Sequence, residues 1–192
     1  MRHFMVMFDQ FRINRDSVRS GMNHPEVVIA ARCVNVGLFL SGDLRRDVVV
    51  SLATGSISDL TVVSFNGKTM KRVSPDERSI TFFLLKAFDA AGQLDNLESH
   101  TLDNGIEVSR GDLQVLLERW KIGVVFIAVA GGEEQPADTD SLDESFYLYY
   151  VDSGDRSLNQ RLPGFIPIPK PPHPERLLLE VNLRADRHSQ SS

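Results

Sequence analysis

The chain has almost no cysteine: Cys33 stands alone among 192 residues. A single thiol excludes an internal disulfide framework and fits a reducing cytoplasm, where the chain is expected to reside. Long apolar runs are missing too. Nothing approaches the roughly 18 consecutive apolar residues of a membrane span, so no membrane partner is expected. The run Met1–Phe8 is too short for a signal peptide and meets an acid at Asp9, so it reads as a buried first strand. His3, His24, His100, His173 and His188 are scattered without metal-ligand spacing, and no metal is expected. Asp138, Asp140 and Asp143 lack the glycine and distal glutamate of a calcium loop. A glycine-rich phosphate loop and a nucleophile elbow are both absent. The chain also lacks a basic excess. Its formal charge of -5 argues against a protein that coats nucleic acid, yet leaves room for a basic patch on one face.

What is present describes an ordinary globular protein. Apolar residues make up 42% and charged residues 24% of a chain long enough for one well-filled core. The pattern alternates strand and helix. Arg2–Phe8 reads as a strand and residues 9–23 as a loop. Pro25 suits a first helical position, and Val27, Val28, Ala31, Val34, Leu38 and Phe39 share a helical face that ends near Ser41-Gly42. Asp47–Ala53 is a valine-rich strand. Leu60–Phe65 and Lys68–Val73 flank Asn66-Gly67, a strong hairpin signal. Ser74-Pro-Asp-Glu77 reads as a capping box that opens a helix ending at Gly92.

Gly105–Ser109 is a short strand, followed by a helix buried along Leu113, Leu116, Leu117 and Trp120. Val124–Ala130 and Phe146–Val151 are apolar runs suited to strands covered on both faces. The prolines of residues 162–172 exclude helix and any regular central strand. Pro174 opens a last helix. These elements predict an α/β sheet with helices on both faces, and a ligand site beside the carboxyl ends of its strands.

The least ordinary segment is Ala30–Val49. Its apolar helix carries Arg32 and Asn35, breaks at Ser41-Gly42, presents the pair Arg45-Arg46 and enters a β-branched strand. Polar groups on an apolar helix need partners. Arg32 either pairs with a neighbouring acid or meets a phosphate, and Asn35 either satisfies a backbone group or reads a base.

Arg32-Cys-Val-Asn35, Phe39-Leu-Ser41 and Leu44-Arg-Arg-Asp-Val48 resemble the SPOUT-class tRNA pseudouridine N1-methyltransferase family, whose target is pseudouridine 54 of the T-loop. Three further segments agree in order and spacing: Pro75-Asp-Glu-Arg-Ser79, Gly105-Ile-Glu-Val-Ser-Arg110, and Val124–Gly132 with the acidic turn after it. The likeness covers about residues 1–150. It implies a SPOUT-like domain over residues 1–188 with a C-terminal trefoil knot, the knot and cofactor region lying at 145–188 and a disordered tail at 189–192. It also implies S-adenosylmethionine as cofactor, tRNA as substrate and a homodimer.

Carried onto this chain, the resemblance assigns cofactor contacts to Leu148, Tyr150, Gly154, Ile166, Pro167, Ile168, Pro169 and Leu177; Asp152, the only acid near the proposed cofactor strand, is the candidate catalytic proton acceptor. RNA contacts fall to Arg32, Asn35, Arg45, Arg46, Arg78 and Arg110. In the cofactor region Ile166-Pro-Ile-Pro-Lys170 stands where the family carries a Ser-Leu-Gly-Pro loop. The expected function is methyl transfer to N1 of pseudouridine. The alternative is a catalytically inactive SPOUT-like RNA-binding or interaction protein.

Overall fold

All seven residues of the first strand are buried, as a strand must be when it is paired on both edges and covered on both faces. In a computed structural model, which describes residues 1–132, 145–151 and 165–189, that strand lies inside one eight-stranded mixed sheet. In chain order the elements are β1 (Arg2–Phe8), α1 (Arg15–Ser20), α2 (Pro25–Leu38), β2 (Val48–Ser56), β3 (Asp59–Asn66), α3 (Glu77–Ala91), β4 (Ser99–Thr101), β5 (Glu107–Gly111), α4 (Leu113–Arg119), β6 (Val125–Val129), β7 (Phe146–Tyr150), β8 (Ile166–Pro169) and α5 (Pro174–Ser189).

The sheet order is β4-β5-β3-β2-β1-β7-β6-β8. From β2 to β8 every pairing is parallel. From β2 to β4 every pairing is antiparallel. β8 contains Pro167 and Pro169 and sits at the edge, the one place where a strand can lack amide donors at little cost.

Side chains alternate across the sheet. Phe4, Val6, Val50, Leu52, Val63 and Phe65 enter one core, beneath Val34, Leu38, Ile80, Leu84, Leu178 and Val181 of α2, α3 and α5. Met5, Met7, Ala53, Leu60, Val62 and Leu148 enter a second core on the other face, against Leu113, Leu116 and Leu117 of α4.

The structure departs from the sequence pattern in several places: Ser99–Thr101 forms an unexpected strand, and the expected strand Lys68–Val73 is absent. Residues 15–20 form a helix inside the expected loop. Val18 is its one buried residue, so no apolar period announces it; the Asn14 side chain caps Ser17 N at 2.9 Å and Gly21, at φ 74°, ends it. Asn66-Gly67 is not a hairpin apex. β3 pairs with β2, and the turn falls between Ser56 and Asp59. Asn66 instead ends the strand: its carbonyl accepts from Thr69 N and Met70 N, and its side chain accepts from Lys68 N at 2.9 Å. Gly67 is needed because a Cβ there would collide with the Arg45 carbonyl.

The cap of α3 is Asp76, which accepts from Ser79 N at 2.8 Å, so the helix begins two residues later than the Ser74 reading. Glu77 accepts from Asn23 Nδ2 at 3.0 Å rather than reaching back to Ser74. At the other end of the chain, α5 runs through Ser189, one residue past the expected domain boundary, and residues 190–192 lie outside the described set.

Candidate active site

β1, β7, β6 and β8 are mutually parallel, so their carboxyl ends emerge along one edge of the sheet. Met7 is level with Tyr150, and Val129 with Pro169. This edge is where α/β sheets hold ligands, because backbone groups at strand ends lack ladder partners. The Tyr150 hydroxyl donates to Asp9, the residue that follows β1. The Tyr149 hydroxyl donates to the Pro171 carbonyl at 2.7 Å, and Lys170 Nζ lies 5.1 Å from the centre of the Tyr149 ring. Burial, with Glu175 and Cys33 nearby, pushes the Tyr149 phenol up to about 12, so it remains a donor at neutral pH. Burial, together with Glu175, also pushes the Cys33 thiol well up and leaves it a packing residue. A Cβ at Gly132 would collide with the Ile168 carbonyl, so the chain leaving β6 passes β8 at a distance that only glycine allows.

The cofactor residues expected from sequence do not all reach this edge. Tyr150 and Pro169 do. Leu148 is fully buried in the α4-side core. Ile168 and Leu177 are buried in the opposite core. Ile166 is half-buried and Pro167 exposed. Asp152 and Gly154 lie outside the described residues. Asp9 was missed by sequence reasoning. Its signal was its position, directly after a buried strand at the edge where ligands collect.

The expected RNA contacts also divide. Arg32 is exposed, with Nη1 4.0 Å from Glu175 Oε1. Asn35 donates to the Pro75 carbonyl, which is the backbone-satisfying alternative. Arg32 and Asn35 line one shallow recess with Glu77, and exposed Arg78 follows Glu77 in the chain. Arg46 is 59% exposed and donates to the Gly67 carbonyl at 3.1 Å.

Arg45 differs from the expectation of a surface cation. It is only 8% exposed, pairs with Asp186 Oδ2 at 2.8 Å and donates to the Val36 carbonyl at 3.3 Å. Its guanidinium ties α5 to the segment after α2, because a buried cation must be paired. Arg110 is likewise engaged: it grips the Asp59 carboxylate at 3.0 and 3.1 Å and reaches the Leu94 carbonyl at 3.1 Å.

Fold and edge together define an α/β protein whose candidate ligand site is the carboxyl ends of its parallel strands. The chain belongs to the family described as "Putative SAM-dependent RNA methyltransferase", whose model matches residues 1–142. Curated relatives named tRNA (pseudouridine(54)-N(1))-methyltransferase agree. The Methanocaldococcus jannaschii protein is 29% identical over 155 residues, 73% of each chain. The Methanocella arvoryzae protein is 44% identical over 88 residues, 45% of this chain and 44% of that one. The Methanococcus aeolicus protein is 47% identical over 62 residues, 32% of this chain, and the match spans 30% of its own length. A crystal structure of Archaeoglobus fulgidus Nep1 bound to S-adenosylhomocysteine shares the fold, with TM-score 0.62, 13% identity and 98% of each chain covered. No helix among the described residues is long and apolar enough to cross a membrane.

Proposed function

We propose that this chain transfers a methyl group from S-adenosylmethionine to N1 of pseudouridine 54 in tRNA, acting in the cytoplasm as a homodimer. The observation that carries the reading is the family match, which runs through the Arg32–Val48, Pro75–Ser79, Gly105–Arg110 and Val124–Gly132 segments in order. We place the cofactor region in residues 145–188 of a single domain spanning 1–188, wound as a trefoil knot. The carboxyl edge suits such a cofactor. Asp9 offers a carboxylate to positive charge, Tyr150 an aromatic ring, and Gly131 a backbone with open space beside it that ligand atoms can approach closely.

S-adenosylmethionine, when bound, supplies a methyl group already activated by its positive sulfur. The protein's part is alignment, which contributes on the order of 7–11 kcal/mol to such a displacement. N1 of pseudouridine loses a proton as it attacks. Asp152 is the proposed acceptor; Asp9 is a described acid at the carboxyl edge. Extruding the base costs about a few kcal/mol. Exposed Arg32, Arg46 and Arg78 offset this by meeting phosphates, and Asn35 holds the α2–α3 corner beside them. Arg45 and Arg110 act from inside, as tethers.

The test is methyl incorporation from labelled S-adenosylmethionine into tRNA carrying pseudouridine in its T-loop, run beside calorimetry with the cofactor. Incorporation at N1 is expected. No heat and no methyl transfer would end the proposal. A second reading, RNA binding without catalysis, draws on β8: Ile166-Pro-Ile-Pro169 is an edge strand where the resembled family carries a glycine loop. Tight tRNA binding that ignores cofactor, with no turnover, would select it.

A further inference from the structure

At the opposite end of the sheet, by the amino ends of the parallel strands, a cleft of about 710 Å³ opens on the α4 face. Its lining includes Ser64, Thr69, Thr101, Glu107, Trp120 and Lys121. This end is far from the carboxyl edge that the proposed methyl transfer uses, and the inference does not depend on that reaction.

The floor of the cleft is unusual for this sheet. On the other face the same strands carry Phe4, Val50, Val63 and Phe65, all fully buried. On the α4 face, Ser51 on β2, Ser64 on β3 and Glu107 on β5 lie level across three adjacent strands, and His3 on neighbouring β1, level with Val49, reaches Ser51 diagonally. Ser51 is 0% and Ser64 7% exposed. A sheet face that served only for packing would be aliphatic, since each buried hydroxyl needs a partner. Here the partners are one another. His3 Nε2 and Ser51 Oγ are 2.7 Å apart, as are Ser51 Oγ and Ser64 Oγ. Beside them Ser109 Oγ donates to Glu107 Oε1 at 3.1 Å.

This chain of hydroxyls has two directions. If His3 Nε2 carries its proton, it donates to Ser51, Ser51 donates to Ser64, and the Ser64 O–H points onward into the cleft. If Nε2 is bare, Ser51 donates to it, Ser64 donates to Ser51, and the Ser64 lone pairs face the cleft. The second direction needs a neutral imidazole, and burial, which pulls the His3 pKa down to about 3, keeps both directions open. Ser64 therefore serves a donor or an acceptor equally well. Above the floor stands Trp120, its ring 4.6 Å from His3 and tilted 48° to it. A large aromatic face, a carboxylate that accepts from N–H groups, and a hydroxyl that serves either role match one ligand chemistry. That chemistry is a flat, uncharged heterocycle whose edge mixes N–H and C=O groups.

We infer that this cleft is a binding site for a single nucleoside, with the base stacked on Trp120 and its edge read by Ser64 and Glu107. Trp120 is the only tryptophan of the chain, so its fluorescence reports the site directly. The full chain is titrated with adenosine, guanosine, cytidine and uridine, with and without S-adenosylhomocysteine. At least one nucleoside quenches Trp120 saturably, with a midpoint in roughly the millimolar range or below. Ser64→Ala and Glu107→Gln each weaken that midpoint about tenfold, the loss of one good hydrogen bond, while melting curves confirm that both variants fold. S-adenosylhomocysteine leaves the midpoint unchanged. The inference is overturned if no nucleoside quenches saturably, if neither variant shifts the midpoint, or if S-adenosylhomocysteine competes. It is also overturned if quenching follows protein concentration instead, because the cleft would then be covered by a second copy of the chain. None of these results bears on methyl transfer at the other edge.

Discussion

Phe65 and Ser64 are neighbours on β3 and point to opposite faces of the sheet. Phe65 is fully buried under α3 among Val63, Ile80 and Leu84, in a core that three helices close. Ser64 lies on the face that α4 covers only in part, where a polar row replaces the aliphatic carpet. The same backbone thus supports two kinds of surface. One is filled to hold the fold, and the other keeps hydrogen-bonding groups beside open space.

The largest effect should break the filled face. Phe65→Ala removes a ring from a site with little room to collapse and should cost about 3–5 kcal/mol in urea unfolding. A loss below roughly 1 kcal/mol would mean that this core is no tighter than the other.

Next comes the pair Arg45-Arg46, which the sequence presents as one basic patch. Arg45→Ala leaves Asp186 without its closest cation and should cost about 2 kcal/mol, since the acid itself is one-third exposed. Arg46→Ala should leave stability within about 0.5 kcal/mol. It should instead weaken tRNA binding and lower the salt slope by about 1. Equal effects of the two substitutions on stability would erase the distinction.

The effect of the polar row is spread over pH and is read as a slope. His3 titrates at about 3 in the fold and near 6.5 when unfolded. Between those values the unfolded chain binds more protons, so acid favours unfolding. The contribution of His3 is complete above pH 6.5 and falls by about 1.4 kcal/mol per pH unit toward pH 3. His3→Gln should flatten that part of the stability profile. An unchanged slope would show that the imidazole is not held neutral.

Much of this fold was readable from local pattern. The β-branched run at Val48, the apolar runs of β6 and β7, and the proline placements at Pro25 and Pro174 each reflect a constraint that acts within a few residues. What could not be read depends on distant partners. Asn66-Gly67 has a hairpin's chemistry, but its glycine answers to the Arg45 carbonyl passing beside it. Arg45 looks like a surface cation until Asp186, 141 positions further along, comes to meet it. The candidate site follows the same division. The carboxyl edge was foreseeable from strand and helix alternation, and so was the position of Asp9 after β1, whereas its partner Tyr150 arrives only with β7.

The position of β1 has a consequence for synthesis. Its two neighbours are β2, which starts at Val48, and β7, which starts at Phe146. Arg2 also reaches the Asn182 carbonyl and lies 3.7 Å from Asp186 on the final helix. While the ribosome is still making the middle of the chain, one flank of this oily ribbon has nothing to zip against. The nascent polypeptide must be kept from sticking until its last quarter emerges, and deletions that remove that quarter should yield aggregates rather than a smaller folded protein.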